Sequence, residues 1–367
     1  MGRNAEMILM TPGPVELHPR VRTAMSRRMI SHRSSEFRKL YRSIVSKASR
    51  IFQTSEDIFV VTGSSTCAID CVAASLSRRD FSILVPVYGV FSERLAEAFE
   101  ASGARVTRLE FSWRGGLCLE MLEDALTRDE RIEAVALVHN ETSTGVMVDL
   151  ERAADLVKSH GKLLIVDAVS SLGGVDLPVD KLGVDICIVG SQKCLAAPPG
   201  LSMISISKAA WKLVETRQGS APPYLDLARM KRFQENWETP FTPAINLFYG
   251  LDEALNIILE EGLNNWIRRH ERCSITLYEE LERLNLAFYP KKGVRSRTVL
   301  TLLPPKGGSA EKIVAGMKQR GIIIAGGVGK LRGKVFRIAC MGLIDEDKTR
   351  KTINALKEVL SEPRKNR

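Results

Sequence analysis

With 367 residues, 44% of them hydrophobic and 26% charged, the chain has the composition of a soluble globular protein and enough length for two domains. It has no apolar run long enough to span a bilayer, and Met1 to Met10 lack the layout of a signal peptide, so we expect a cytoplasmic protein with no membrane partner. The formal net charge of +10 is typical of nucleic-acid binders, but the few aromatic residues are not interleaved with the basic runs as stacking platforms would be, so we expect no nucleic-acid partner.

The N-terminal segment is predicted to be extended. Two prolines around a glycine in Thr11 to Pro14 make a stiff stretch that cannot join a central sheet. We expect it to cross another part of the protein or of a partner subunit. The apolar spacing between Ser34 and Phe52 then predicts a helix that lies on the body of the fold.

The stretch from Asp57 to about Leu76 predicts a strand, a hydroxyl-rich turn and a helix. A helix start exposes unpaired N–H groups and the positive end of the helix dipole, and Ser64, Ser65 and Thr66 add hydroxyl donors there. Such a turn can hold a phosphate or a carboxylate. Serine and threonine are also common helix caps, so capping alone explains them equally well.

Strands and helices alternate through the next part of the chain. This alternation predicts right-handed βαβ units and a mostly parallel sheet covered on both faces, with ligands bound beyond the carboxyl ends of the strands. The predicted elements are a strand and loop in Ser82 to Phe91, a helix from Ser92 to Ser102, a strand in Gly103 to Leu109, a helix in Leu119 to Leu126, and a strand from Ala134 that ends in the polar loop His139 to Gly145.

Asp167 ends the apolar strand that begins at Leu163. A carboxylate buried there needs a cationic or hydrogen-bond-donating partner, because burying a bare carboxylate is very costly. The alternative is an aspartate that caps the following loop.

Lys193 follows another apolar run of strand length, from Val184 to Val189. A lysine at the exit of a buried strand loses water from its amine, which disfavours the ammonium form and leaves a nucleophile able to condense with a carbonyl as a Schiff base. The alternative is an ordinary surface lysine. Leu201 to Ser207 is predicted to be an antiparallel return strand.

The remaining chain predicts a loop-rich passage, Gly219 to Thr242, and then a smaller α/β domain. Its predicted elements are a long helix through Leu259, a helix in Trp266 to Leu284, a strand in Val299 to Leu303, a helix in Ser309 to Gln319, and a strand in Lys334 to Cys340. Its glycine-rich loop is not a dinucleotide site, because it joins two strands. Arg337 lies amid apolar neighbours and could clamp a carboxylate through two parallel hydrogen bonds, or lie on an exposed strand face.

These pieces, in this order, resemble the class V aminotransferases, which depend on pyridoxal phosphate, and in particular the alanine–glyoxylate and serine–pyruvate aminotransferases. The most specific motifs are Asp167 to Gly174, Gly190 to Lys193 and Ala197 to Gly200, and the resemblance runs from Thr11 to Ile338. It implies the α/β transferase fold of type I, with a mostly parallel seven-stranded sheet between helices and a smaller C-terminal α/β domain. We divide the chain into residues 1–20, an extended segment, 21–245, the large cofactor-binding domain, and 246–367, the small domain.

The resemblance also implies the catalytic roles. Lys193 would hold the cofactor aldehyde as an imine and later carry a proton between the substrate α-carbon and the cofactor. Asp167 would pair with the pyridine nitrogen and keep it protonated.

Further cofactor contacts are implied for Ser64, Ser65, Thr66 and Gln192 at the phosphate, Thr142 at the ring hydroxyl, Val169 under the ring, and Phe91 stacked on the ring. Phe91 stands where relatives often have tryptophan, and a phenyl ring stacks with less overlap. Thr242 would reach the phosphate of a neighbouring subunit, which implies a homodimer with shared sites, although it could equally be a turn residue before a helix. Arg337 would bind the substrate carboxylate.

The sequence therefore predicts a ping-pong transaminase that moves an amino group from alanine or serine to glyoxylate or pyruvate. One alternative is a cysteine desulfurase-like lyase, but those enzymes stack a histidine where Phe91 stands and carry a nucleophilic cysteine on a mobile loop. Cys340, where relatives often have histidine, lies within a predicted strand, and the seven scattered cysteines predict reduced core residues with no metal site. The other alternative is a non-catalytic basic binding protein on the same fold.

Overall fold

The computed structural model of the chain describes residues 7–78, 80–216 and 221–361. The helices are α1 (Pro19–Met25), α2 (Ser35–Phe52), α3 (Ser65–Leu76), α4 (Val90–Ala101), α5 (Leu119–Arg128), α6 (Leu150–Ser159), α7 (Lys208–Glu215), α8 (Leu227–Gln234), α9 (Ile245–Glu261), α10 (Leu263–Arg283), α11 (Ala310–Gln319) and α12 (Glu346–Ser361). The strands are β1 (Ile8–Leu9), β2 (Asp57–Thr62), β3 (Ser82–Val87), β4 (Arg105–Glu110), β5 (Ala134–Val138), β6 (Asn140–Glu141), β7 (Val146–Met147), β8 (Leu163–Asp167), β9 (Ile186–Gly190), β10 (Leu201–Ile206), β11 (Val299–Leu302), β12 (Ile322–Ile323), β13 (Ala325–Gly326) and β14 (Phe336–Ala339).

A seven-stranded sheet forms the centre of the fold. Its strand order is β2-β10-β9-β8-β5-β3-β4, and β10 alone runs opposite to the other six. Every residue of β3, β5, β9 and β10 is buried. Because successive side chains of a strand point to opposite faces, this burial means that both faces of the sheet are covered. The predicted mostly parallel seven-stranded sheet and its antiparallel return strand are therefore confirmed.

A second, smaller sheet lies in the C-terminal part, with the order β11-β14-β13. The buried apolar residues form two clusters: a large one around the central sheet and a smaller one that joins residues between Cys273 and Leu356 with Met10. The N-terminal strand β1 pairs with β12, and the backbone of Met10 accepts a hydrogen bond from Ala339 N at 2.8 Å. The division of the chain at residues 20 and 245 remains a prediction.

The helix predicted from Ser92 begins two residues earlier, so Phe91 lies in the first turn of α4 and not in a loop. Gly89, at the N-cap, has no side chain to cap the helix. The Glu141 carboxylate accepts the N–H groups of Phe91 and Ser92 instead, at 3.0 and 2.9 Å. Glu141 lies some fifty residues after the start of α4, so this cap leaves no pattern in the sequence around Gly89. For this reason the predicted start of the helix is two residues late.

The prediction of a loop-rich passage from Gly219 to Thr242 is also partly wrong, because this part of the chain contains α8. Asp226 caps this helix by accepting a hydrogen bond from Arg229 N at 3.0 Å. Gly219, where the predicted passage begins, lies outside the described residues, as does the C-terminal end of the chain beyond Ser361. Within the described part, the chain has no helix with the length and apolar character needed to cross a membrane.

Candidate active site

A cavity of about 590 Å³, including its open mouth, lies at the carboxyl ends of the parallel strands. It is lined by nine of the predicted residues, Ser64, Ser65, Thr66, Phe91, Thr142, Asp167, Val169, Gln192 and Lys193. Ile69, Arg94, Val138, Asn140 and Ser170 complete the lining.

Lys193 lies in the tight turn that follows β9. Two hydrogen bonds close this turn, from Ser191 Oγ to Pro198 O at 2.5 Å and from Ala197 N to Ser191 O at 3.0 Å. The Lys193 amine donates a hydrogen bond to the backbone carbonyl of Pro12 in the N-terminal segment. Burial lowers the pKa of Lys193 to about 8, because the ammonium form loses hydration. A much larger share of this amine is neutral near pH 7.5 than of a surface lysine.

Asp167 is the last residue of β8 and only 6% exposed. Its Oδ1 accepts a hydrogen bond from Val169 N at 2.9 Å. Burial raises the pKa of Asp167 to about 6, and the amine of Lys193 acts in the opposite direction. A buried carboxylate of this kind is stabilised by a cation or a strong donor placed in the cavity. The hydrogen bond from Val169 N agrees with the alternative in which Asp167 caps the following loop, but the Asp167 side chain also lines the cavity.

The N-terminus of α3 forms one end of the cavity. Ser64, the N-cap residue, is exposed and makes no capping hydrogen bond with its side chain, so capping does not explain this serine. Ser65 Oγ and Gln192 Oε1 are buried and have no hydrogen-bond partner among the described residues. Gly190 allows them to approach, because a Cβ there would lie 2.2 Å from Ser65 Oγ. The first-turn N–H groups and these side chains together suit an anion.

Phe91 and Val169 are half-buried apolar side chains at the cavity wall. The guanidinium of Arg94 lies 5.1 Å from the centre of the Phe91 ring. Thr142 also lines the cavity, on the hairpin formed by β6 and β7. Phe91 and Val169 thus make part of the cavity wall apolar.

Arg337 lies outside the lining of the cavity but next to it. It is 6% exposed, which contradicts the alternative of an exposed strand arginine. Its Nη1 donates to the Thr142 carbonyl at 2.9 Å, and its Nε donates to the Gly326 carbonyl at 2.9 Å. Burial lowers the pKa of Arg337 to about 10, so the group remains charged at neutral pH.

Thr242 is exposed and does not line the cavity of its own chain. It lies on a separate cleft with Tyr224 and Phe241, whose rings stack with their centroids 5.4 Å apart. Both rings are unusually exposed, at 43% and 39%. The position of Thr242 is compatible with a contact to a second copy of the chain.

Asn140 and Glu141 also belong to this site, and neither is predicted from the sequence as a site residue. Asn140 lines the cavity and bonds Ser170 Oγ and Thr298 Oγ1 through its Nδ2, each at 2.8 Å, while its buried Oδ1 has no partner among the described residues. Glu141 is fully buried. The only available signal is the run of polar residues that directly follows the buried strand β5.

A family model described as aminotransferase class-V matches residues 19–331 of the chain. A protein from Methanocaldococcus jannaschii, named as an uncharacterized aminotransferase, is 38% identical over 97% of this chain and 93% of its own length. The alanine–glyoxylate aminotransferase of Callithrix jacchus is 33% identical over 97% of this chain and 87% of its own length.

Solved structures give the same picture. The alanine–glyoxylate aminotransferase of Nostoc sp. superposes with a TM-score of 0.91 at 34% identity, covering 98% of this chain and 96% of its own. The similarity therefore extends over the whole arrangement of sheet and cavity.

Proposed function

The chain belongs to the class-V aminotransferase family, and from this premise we propose that it moves an amino group from alanine or serine to glyoxylate or pyruvate by a ping-pong mechanism. The observation that carries the proposal is the presence of Lys193 and Asp167 in one cavity beside an anion-binding helix start. Alanine as the donor and glyoxylate as the acceptor are supported by the names of the alanine–glyoxylate relatives.

Enzymes of this family depend on pyridoxal phosphate, and the residues of the cavity fit that cofactor. Three buried atoms with no partner among the described residues, Ser65 Oγ, Asn140 Oδ1 and Gln192 Oε1, belong to side chains that line one cavity and are available to a polar ligand. Ser64, Ser65, Thr66 and Gln192 would hold the phosphate at the start of α3. When bound, the cofactor supplies an aldehyde and an electron-withdrawing ring.

Lys193 would carry the proton of the reaction at its Nζ. Because burial holds its pKa at about 8, the amine can accept a proton and return it near neutral pH. The Pro12 carbonyl gives the amine a fixed hydrogen-bond acceptor, so its orientation does not depend on solvent. Asp167 would face the ring nitrogen as a carboxylate. Phe91 and Val169 would pack against the ring, and Thr142 would contact the ring hydroxyl.

Arg337 would bind the carboxylate of the amino acid. The bonds to the Thr142 and Gly326 carbonyls hold the guanidinium plane in place. Nε is engaged with Gly326, whereas Nη1 has a second hydrogen and Nη2 has no hydrogen-bond partner among the described residues, so both terminal nitrogens remain able to donate. Two parallel hydrogen bonds of this kind orient a carboxylate as well as bind it.

We further propose that the active unit is a cytoplasmic homodimer in which Thr242 of one subunit reaches the phosphate bound by the other. The exposed stacked pair Tyr224 and Phe241 beside Thr242 supports a surface that a second copy covers. All seven cysteines are free, which is compatible with a reducing compartment.

The two alternatives have less support. Cys340 is fully buried, and its thiol donates to the His270 carbonyl at 3.3 Å, so it is not placed as the mobile nucleophile of a desulfurase. A nucleic-acid binder would need unpaired basic side chains, but Arg20 bonds Glu253 and Glu260, and Arg38 bonds Glu238. These pairs reduce the free positive charge of the predicted basic surface.

A transamination screen on the purified protein tests the proposed function. Protein loaded with pyridoxal phosphate is given alanine, serine, aspartate, ureidoglycine, an aminophosphonate or cysteine, with glyoxylate or pyruvate as the acceptor. We expect alanine or serine with glyoxylate or pyruvate to react fastest, with parallel initial-rate lines for a ping-pong reaction. After borohydride treatment, mass spectrometry should find the cofactor on Lys193. Sulfide release from cysteine as the fastest reaction, or a protein that remains colourless, would overturn the proposal.

A further inference from the structure

Glu141 is a fully buried carboxylate that the proposed chemistry does not use. We propose that Glu141 is a positioning residue that holds the ring-stacking phenylalanine, the hairpin with Thr142 and the substrate-binding arginine in one fixed arrangement. This inference rests on the proposed function of the same cavity.

The carboxylate joins the start of α4 to the hairpin. Its Oε2 accepts hydrogen bonds from Phe91 N at 3.0 Å, Ser92 N at 2.9 Å and Ser92 Oγ at 3.3 Å. Its Oε1 accepts from Ser143 N at 3.1 Å and from Ser143 Oγ at 2.5 Å. Ser143 Oγ in turn accepts Val90 N at 3.0 Å. The first three N–H groups of α4 are thus bound by two side chains of the hairpin, near the positive end of the helix dipole.

The backbone leaves space for this contact at a single point. A Cβ on Gly89 would lie 2.3 Å from Cδ of Glu141 and 2.7 Å from Ser143 Oγ. Only a residue without a side chain allows the carboxylate to lie against the chain at the helix start. Gly89 therefore leaves room for the Glu141 carboxylate, and this carboxylate caps α4 in place of a side chain at the N-cap position.

The Glu141 carboxylate helps to position three of the predicted ligand-binding residues. Phe91 is held directly through its backbone N–H. Thr142 lies between Glu141 and Ser143, so its position is set on both sides. The carbonyl of Thr142 accepts the Arg337 bond at 2.9 Å. Burial lowers the pKa of this arginine, and the negative charge of Glu141 acts in the opposite direction and so favours its charged form. A shift of the carboxylate would move cofactor contacts and the substrate clamp together.

The test uses Glu141→Gln in the holoenzyme. An amide has one acceptor oxygen, so it can serve either the helix start or the Ser143 N–H but not both. We expect kcat/KM for the amino acid to fall by roughly ten- to a hundred-fold, chiefly through a higher KM. We also expect weaker binding of pyridoxal phosphate and a changed circular dichroism of the bound cofactor. Ser143→Ala, which keeps the carboxylate, should show the same changes at smaller size.

Asp185→Asn is the matched control. Asp185 is also a buried carboxylate, 5% exposed, and it accepts hydrogen bonds from Leu164 N at 2.8 Å, Lys158 Nζ at 2.6 Å and Ser207 Oγ at 2.9 Å, but its side chain does not line the cavity. The Asp185→Asn substitution should lower the melting temperature and leave KM and the circular dichroism of the bound cofactor unchanged.

The outcomes separate the two proposals. If Glu141→Gln and Ser143→Ala also lower only the melting temperature, Glu141 is merely structural and the inference is wrong. If Glu141→Gln does not fold, the dichroism and KM of Ser143→Ala decide the question. If the wild-type protein neither binds pyridoxal phosphate nor transaminates, the proposed function itself fails.

Discussion

The side-chain amine of Lys193 donates a hydrogen bond to the backbone carbonyl of Pro12, across 181 residues of chain. The N-terminal segment therefore forms part of the active site. The same segment is fixed at both sides of this contact, since Met10 bonds Ala339 and Val15 N donates to Gln192 O at 3.3 Å. The lysine, the central sheet and the C-terminal sheet are thereby connected through one extended stretch.

Gly13→Ala should disable the lysine. A Cβ at this position would lie 2.5 Å from Cδ and 3.0 Å from Nζ of Lys193. We expect the rate at which pyridoxal phosphate couples to Lys193 to fall by at least about ten-fold, measured by absorbance and by mass spectrometry after borohydride. Gly103→Ala is the matched control, because its φ of +89° equals the +88° of Gly13 within a degree and its Cβ would meet nothing within 4 Å. It should cost about 1 kcal/mol of stability and no activity. Equal coupling rates in the two variants would show that the contact has no role.

The coupling of pyridoxal phosphate to the apoprotein should depend on pH with an apparent pKa of about 8. Burial lowers the pKa of Lys193 to that value from 10.5, and the neutral amine is the nucleophile. The rate should therefore rise about ten-fold per pH unit below pH 8 and level off above it. Stopped-flow absorbance measures this rate. A rate that still rises steeply above pH 9.5 would mean that the amine is solvated like a surface lysine.

Arg337→Lys should weaken amino-acid binding without affecting the cofactor. A lysine cannot present two parallel donors to a carboxylate, so we expect a loss of about 2 kcal/mol, or roughly thirty-fold in kcat/KM. The rate of cofactor coupling should stay unchanged, because Arg337 does not line the cavity and a lysine keeps the positive charge that acts on the Lys193 amine. Arg295→Lys, at an arginine paired with Glu282, is the control for a general loss of guanidinium contacts. If cofactor coupling falls as much as kcat/KM, the arginine has another role.

Lys193 and Asp167 could be predicted as neighbours from the sequence. Each ends or directly follows an apolar strand, and the carboxyl ends of parallel strands meet at one edge of a sheet. The hydroxyl-rich turn at Ser64 could be placed there for the same reason. Residues that reach the cavity can thus be predicted from the sequence when they directly follow a parallel strand, because the topology of the sheet alone then determines their position.

Contacts between distant parts of the chain could not be predicted in this way. The start of α4 depends on Glu141, and the amine of Lys193 depends on Pro12; neither partner is close in sequence. Arg94, on α4, also lines the cavity, although no local pattern in the sequence marks it as a site residue. Helix α8 is a different case, since its capping Asp226 is a local signal from which the helix could have been predicted.

His270 should make the stability of the protein fall in acid. Its Nδ1 lies 2.8 Å from the Trp266 carbonyl, which can only accept, so Nδ1 carries the proton and the buried Nε2 has no partner among the described residues. Burial lowers the pKa of His270 from 6.5 to about 4. The unfolded chain therefore binds the proton first, and this stability is present above pH 6.5 and lost as the pH falls toward 4. Compared with His270→Gln, the wild-type free energy of unfolding should lose about 3 kcal/mol more between pH 7 and pH 4, measured by urea unfolding. Parallel pH profiles of the two proteins would contradict the assignment.

Co-expression of Lys193→Ala with Thr242→Ala should restore activity if active sites are shared between subunits. Lys193 lines the cavity, whereas Thr242 lies on the separate exposed cleft with Phe241. In a mixed dimer, one site carries both substitutions and the other carries neither, so about a quarter of all sites should be intact after random pairing. Differently tagged chains allow the mixed dimer to be purified. We expect its kcat per dimer to be about half that of the wild type.

Lys193→Ala paired with Asp167→Ala is the control: both residues line the cavity of one chain, so every site in that mixed dimer is damaged. No restoration by the test pair in a dimer shown to be mixed would mean that each subunit builds its site alone. Restoration by the control pair would contradict the placement of Lys193 and Asp167 in the cavity of one chain.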